Sequence, residues 1–180
     1  MTKNLIIAIT LIFTGNFAFS QIDTVSRKPD TVKHDRLYYK SHQIKFLSLL
    51  AGYNFNKYNY LEIGIAKNTF GVVGPHPASS AYFVSVEVRP VHKFVMAPKI
   101  GGWFAGGLGG IAMGVNLLYY TNFNSGSLRF RPEIGLGIEG FKFVYGYNIA
   151  LSNSAFGDVN KSNFGIVGLI PLKKYKKHVD

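Results

Sequence analysis

Residues 128–151 read LRFRPEIGLGIEGFKFVYGYNIAL. Leu128, Phe130, Pro132, Ile134, Leu136 and Ile138 share one parity, and Arg129, Arg131, Glu133, Gly135, Gly137 and Glu139 share the other. After Gly140 the pattern repeats. Phe141, Phe143, Tyr145, Tyr147, Ile149 and Leu151 lie on one face, with Lys142, Gly146, Asn148 and Ala150 between them. A period of two is the strand period, because successive side chains point to opposite faces. Each run has the ~9–11 residues that a tilted strand needs to cross a bilayer. An apolar, aromatic face opposite a face of charges and glycines is the pattern of a barrel strand with lipid outside and a polar interior.

The same alternation recurs along the chain. Strands are predicted at 44–55, 60–67, 81–89, 94–104 and 111–120, then the two runs above, then 164–172. In the second, Leu61, Ile63 and Ile65 face out and Glu62, Gly64 and Ala66 face in. In the third, Tyr82, Val84, Val86 and Val88 alternate with Phe83, Ser85, Glu87 and Arg89. Eight strands suit the smallest common outer-membrane barrel, whose interior is filled by side chains. The fold expected is therefore all-β, a single antiparallel up-and-down transmembrane barrel. Glu62, Glu87, Glu133 and Glu139 are expected to face Arg89, Lys99, Arg129, Arg131 and Lys142 inside it, since buried charges persist when paired. Pro98 and Pro132 each remove a ladder donor, so a local bulge is expected at each.

Residues 68–80, with Gly71, Gly74, Pro75 and Pro77, read as a loop by their breakers. A long loop there sits on the wrong end of a barrel whose termini are both periplasmic. Either a further strand lies near residues 37–40, or residues 70–73 extend a strand. Residues 152–163 read as a polar loop, and Lys173, Lys174, Lys176 and Lys177 mark a basic tail over 173–180.

The N-terminus is of a different kind. Lys3 precedes an apolar core over residues 5–13, and Ala18-Phe19-Ser20 ends in the small residues that a signal peptidase reads. A cleaved export signal over residues 1–20, cut after Ser20, is expected, followed by a flexible polar leader over 21–43 and the barrel over 44–172. The apolar core is too short to span ~30 Å as a helix. The chain has 180 residues, formal charge +11 and no cysteine. Disulfides, thiolate chemistry and cysteine-held metals are thereby excluded. Its 15 phenylalanines, 11 tyrosines and 20 glycines suit strands, membrane interfaces and crowded barrel interiors.

The export signal, the aromatic alternation and the series Tyr119-Tyr120-Thr121, Arg131-Pro132-Glu133-Ile134-Gly135-Leu136-Gly137 and Tyr145-Gly146-Tyr147-Asn148 resemble small, lineage-specific outer-membrane β-barrel proteins of Gram-negative bacteria. The resemblance runs from about residue 44 onward. It implies residence in the outer membrane, contact with outer-membrane lipid and lipopolysaccharide, insertion by the barrel-assembly machinery, and surface contacts through the loops. Such barrels often end on an aromatic residue, whereas the last strand predicted here ends Ile170-Pro171-Leu172.

Motifs for chemistry are weak. Gly135-x-Gly137-x-x-Gly140 satisfies a dinucleotide-binding pattern, but it lies inside an alternating strand and another strand follows, where the fingerprint needs a helix. His34, His42, His76, His92 and His178 show no metal-ligand spacing. No cofactor or metal site is expected, and a basic balance carried at the chain ends of an exported protein does not point to nucleic acid. His76 with Ser79 or Ser80 is the one trace of a hydrolase, and an outer-membrane enzyme acting on lipid A or phospholipid is the second reading. Glu133 and Glu139 as an acid/base pair is weighed against salt bridges to neighbouring arginines. The third reading is a soluble exported lipocalin-like barrel, which needs the apolar face turned inward around a ligand. The first reading is a non-enzymatic barrel with an envelope-structural or surface-interaction role.

Overall fold

The computed structural model describes residues 42–179, except 74, 75, 92, 108 and 109. The expected export signal, the cut after Ser20 and the leader as far as residue 41 lie outside them, as do His34, His92 and residues 37–40. The elements are β1 (His42–Phe55), β2 (Asn59–Val73), β3 (His76–Arg89), β4 (Val95–Gly106), β5 (Ile111–Thr121), β6 (Gly126–Ile138), β7 (Phe141–Tyr147), β8 (Ile149–Ala150) and β9 (Ser162–Val179). Every pairing is antiparallel, in the order β5-β4-β3-β2-β1-β9-β7-β6, and β5 pairs with β6 to close the ring. The short β8 continues β7 alongside β6, so the closed ring has eight strands.

Burial alternates with the pleat. On β7, Phe141, Phe143, Tyr145 and Tyr147 are exposed while Lys142, Val144 and Gly146 are buried. On β2, Leu61, Ile63 and Ile65 are each 57% exposed, whereas Glu62 is 3% exposed. The apolar parity thus points outward on the ring and the charged parity points inward. A lipocalin-like interior requires the opposite arrangement.

Three segments differ from the sequence-based expectation. Residues 68–80 are not a loop. β2 and β3 remain paired from Leu61↔Val88 to Val73↔His76, leaving only 74 and 75 between them. The breakers mislead because Gly71 and Pro77 lie where the ladder tolerates them. Gly71 has Ala78 opposite, and Pro77 lies beyond Ala78, where the pairing with β4 begins, so no donor is missed on that side. The extension of residues 70–73 puts the longer connections, with 151–161 the longest, at the end of the ring away from His42 and Val179. Second, residues 173–179 are not a free tail, because β9 continues to Val179 against β1. His42 and Gln43, expected in the leader, belong to β1 and supply its partner positions. Third, Pro98 and Pro132 produce no bulge. Each interrupts one ladder without shifting it: Met96↔Thr121 and Lys99↔Leu118 keep one register across Pro98, and Phe130↔Ile149 and Glu133↔Gly146 keep one across Pro132. Pro132 falls opposite Tyr147, next to the point where the strand breaks into β7 and β8. The register shifts occur on β9, between its pairings with Lys45 and Phe46 and with Leu47 and Ser48.

Glu139, expected inside, is exposed in the two-residue turn between Ile138 and Phe141, at φ 51°. Left-handed backbone costs a Cβ-bearing residue roughly 1–2 kcal/mol. Glu139→Gly is therefore expected to raise stability by up to ~1 kcal/mol, read as an upward shift of the urea midpoint followed through the buried Trp103. A loss of stability would show instead that Glu139 serves the interior.

Candidate functional site

The enclosed volume is the candidate site, and it is layered along the ring axis. At the end holding His42, Leu50, Ala66, Ala81, Phe83, Trp103, Ala105 and Ala112 form one apolar cluster with Val144, Val167 and Leu169. At the loop end, Tyr60, Val95, Ala97, Leu118, Tyr120, Phe156 and Val159 form another. Between them lie six charged side chains, Glu62, Glu87, Lys99, Arg131, Glu133 and Lys142, each at most 5% exposed.

Arg131 forks onto Glu87, with Nη1 2.8 Å from Oε1 and Nη2 3.2 Å from Oε2. Two parallel N–H···O bonds suit the planar guanidinium. Its Nε donates to Asn148 Oδ1 at 2.8 Å, and Nη2 also donates to the Tyr120 hydroxyl. Tyr120 in turn donates to Glu87 Oε2 at 2.8 Å. Lys99 Nζ lies 3.1 Å from Glu62, 3.2 Å from Glu87 and 3.9 Å from Glu133. Lys142 Nζ donates to Glu133 Oε2 at 2.6 Å. Glu62 accepts further bonds from Ser85 Oγ at 2.6 Å and Asn54 Nδ2 at 2.8 Å. Three carboxylates meet three cations, so the layer is neutral. Phe83 lies under both Lys99 and Lys142, at 5.4 and 5.9 Å from the ring centre, in cation–π range. Gly146 makes room for this layer. A Cβ there would stand 2.8 Å from Arg131 Cδ, closer than side-chain carbons approach.

The nine interior charges expected from sequence divide into three groups. Glu62, Glu87, Lys99, Arg131, Glu133 and Lys142 form the single network. Arg89 and Arg129 are buried nearer the loop end and serve the loop over residues 151–161. Arg89 Nη2 pairs with Asp158 at 3.1 Å, and Arg129 Nη2 reaches Phe156 O at 3.4 Å. Glu139 lies outside in its turn, which also separates it from Glu133 as an acid/base pair. Sequence reading missed the loop's part. Phe156 and Val159 are buried, Tyr60 donates to Asp158 O at 3.1 Å and Lys57 donates to Gly157 O at 2.8 Å. The only signal for it was two apolar residues and one acid within a polar loop.

The chemistry open to this site is limited. Each carboxylate already accepts from a cation, and no group of His, Asp and Glu among the described residues could hold a metal ion. On β3, Ser79 faces in and Ser80 shares the outer parity of His76, about 13 Å further along at ~3.3 Å per residue. Among the described residues no His or carboxylate is hydrogen-bonded to either hydroxyl. Gly135 and Gly137 lie in β6, with β7 following, so no helix N-terminus faces them. A Cβ on Gly135 would stand 1.9 Å from Phe143 O, so this glycine is required for close strand approach. A hollow of about 320 Å³ opens at the end holding His42, lined by Pro77, Ala105, Gly106 and Ile138 among others. It does not reach the charged layer.

Removing one partner of a buried ion pair leaves an uncompensated charge, at a cost of about 3–5 kcal/mol. Glu87→Gln strips Arg131, Lys99 and Tyr120 of a shared acceptor and is expected to lower the unfolding free energy by that amount. Phe156→Ala is expected to cost about 3 kcal/mol by opening a void under the loop. Denaturant titration of both variants checks these values, and an effect below ~1 kcal/mol for Glu87→Gln would contradict a tightly packed layer. In the comparisons with known proteins, no family model matches the chain, and no curated protein or solved structure matches it significantly.

Proposed function

We propose that this chain is an integral β-barrel of a Gram-negative outer membrane, sealed by its own side chains. Its role is non-enzymatic: support of the envelope, or contact with a surface ligand through the loops. The observation that carries this reading is the inverted partition of the ring. Its outer wall bears Leu61, Ile63, Ile65, Tyr82, Val84, Ile100, Met113, Val115, Ile134, Leu136, Phe143 and Ile166, each at least 40% exposed. Its interior holds eight buried charged side chains and a set of amides and hydroxyls. In water, an apolar wall of that extent would be a liability far beyond the patches that soluble monomers tolerate. In a bilayer it is the outward apolar band of a small barrel, with polar groups inside.

Aromatics add to the support. At the loop end Tyr145 packs against Phe164 at 5.2 Å, and Phe94 stacks on Phe123 at 5.8 Å. Tyrosines and phenylalanines at a band edge suit the headgroup level. Lipid and lipopolysaccharide are then the molecules nearest the wall, and the assembly machinery inserts it. The plugged interior supports a role without transport, because side chains fill the interior of an eight-strand ring.

The test is partition. Full-length chain mixed with phosphatidylcholine vesicles is expected to resist carbonate extraction and to show heat-dependent gel mobility. Folded chain recovered in the soluble fraction would overturn the reading. Ile63→Lys, in the middle of the wall, is expected to cost about 2–4 kcal/mol of stability in vesicles. Planar bilayers holding the protein are expected to carry no steady unitary current.

A further inference from the structure

The outer wall changes chemistry within one step on β2, β1 and β9. Ile65, Leu49 and Ile170 stand side by side as one row of partners, and Ile65 and Ile170 are exposed. The next outward row toward the end holding His42 is Lys67, Leu47 and Lys173. Beyond it, Lys45 follows on the middle strand. All three lysines are exposed, and none has an ion-pair partner among the described residues. Neighbouring strands lie ~4.8 Å apart and rows ~7 Å apart. The lysines therefore mark a triangle with sides of about 8–10 Å, directly below an apolar row.

Two bulges create this arrangement. Ser48 pairs with Pro171 and Leu47 with Lys173, so Leu172 is the extra residue. Phe46 pairs with Lys174 and Lys45 with Lys176, so Tyr175 is the second. An unbroken register would set Lys173 opposite Phe46, on the other face. The first bulge brings it onto the outer face beside Leu47, and the second sets position 176 opposite Lys45. Re-aiming a side chain is a known use of a bulge. Lysines on an exposed edge also discourage strand pairing, and beyond Gly168 the strand pairing of β9 among the described residues is with β1. That does not account for Lys45 and Lys67, since β1 and β2 are each flanked on both sides. Lys67 and Lys173 flank Leu47 from its two sides and Lys45 lies one row on, so three like charges repel within one small patch unless something neutralises them. The described acids are Glu62, Glu87, Glu133, Glu139 and Asp158. Glu62 is the only one on these three strands, and it points inward.

We propose that this patch is a headgroup site for an anionic phospholipid of the membrane leaflet at the end holding His42. The phosphate sits among Lys45, Lys67 and Lys173, and the acyl chains lie along Ile65, Leu49 and Ile170. The continuity of the lysine triangle with the apolar row selects a lipid over a free anion. The proposal rests on the membrane reading above.

Native mass spectrometry of the full chain in detergent tests it, with phosphatidylglycerol and phosphatidylcholine of matched chains as the probes. Each lysine at an anionic surface is worth about fivefold in binding. The unaltered chain is expected to retain phosphatidylglycerol over phosphatidylcholine by at least about tenfold, and the triple variant K45Q/K67Q/K173Q to lose that preference. The loop-end variant K93Q/K161Q is expected to keep it. Heat-dependent mobility in phosphatidylcholine vesicles confirms that each variant is folded. Equal preference in the triple variant, equal loss in the loop-end variant, or displacement of phosphatidylglycerol by equimolar inorganic phosphate would each overturn the proposal. Failure of the unaltered chain to enter phosphatidylcholine vesicles would instead overturn the membrane reading beneath it.

Discussion

Arg131 grips Glu87 through both carboxylate oxygens, and the rest of the interior is arranged so that neither charge is left alone. Enclosing a charge costs several kcal/mol, which is recovered only with good geometry and with the remaining donors and acceptors satisfied. Lys99 links the Glu87 carboxylate to Glu62 and Glu133, and Lys142 completes Glu133. Asn148, Tyr120, Ser85 and Asn54 take the remaining bonds. Because these residues come from β1 to β7 and from Asn148 just after β7, the complete network is available only once the ring is complete. Pairs such as Lys99–Glu87 and Lys142–Glu133 join neighbouring strands, whereas the Arg131–Glu87 fork spans β6 and β3 across the ring and needs it closed.

The apolar clusters on either side follow from that layer. Phe83 and Trp103 present their ring faces to the lysines, which suits a dry boundary better than aliphatic carbon would. The loop over residues 151–161 closes the other side with Phe156 and Val159, and Arg89 and Arg129 hold it by its carbonyl and carboxylate oxygens. With polar groups and small clusters consumed inside, large apolar side chains have only the outer wall to occupy. The outer wall grades into lysine at one end and aromatics at the other.

Residues alternating in the sequence, from Leu128 onward, carry the fold class without further help. A strand's pleat sends neighbours to opposite faces, so parity alone separates wall from interior. Of the nine charges with the interior parity, eight are buried and Glu139 is exposed, while the gathering of six into one layer is a tertiary result. Parity fails where the backbone departs from the pleat. Glu139 has the interior parity but sits in a turn at positive φ, and Lys173 changes face because of a bulge. Breakers misled at residues 68–80 because Gly71 is held by ladders on both sides and Pro77 lies where the β4 side has no ladder to interrupt.

Sequence by itself determined the strand period, the separation into apolar and charged faces, the near balance of acids and bases, and the absence of cysteine chemistry. All of these are local or additive properties. Tertiary structure decided which face is enclosed, since the same alternation fits a barrel turned either way, and closure of β5 on β6 puts the charges inside. It also decided partners: Glu87 and Arg131 are 44 positions apart, and Arg89 and Asp158 are 69 apart. Contacts at such separations depend on register around the ring, which no local pattern encodes.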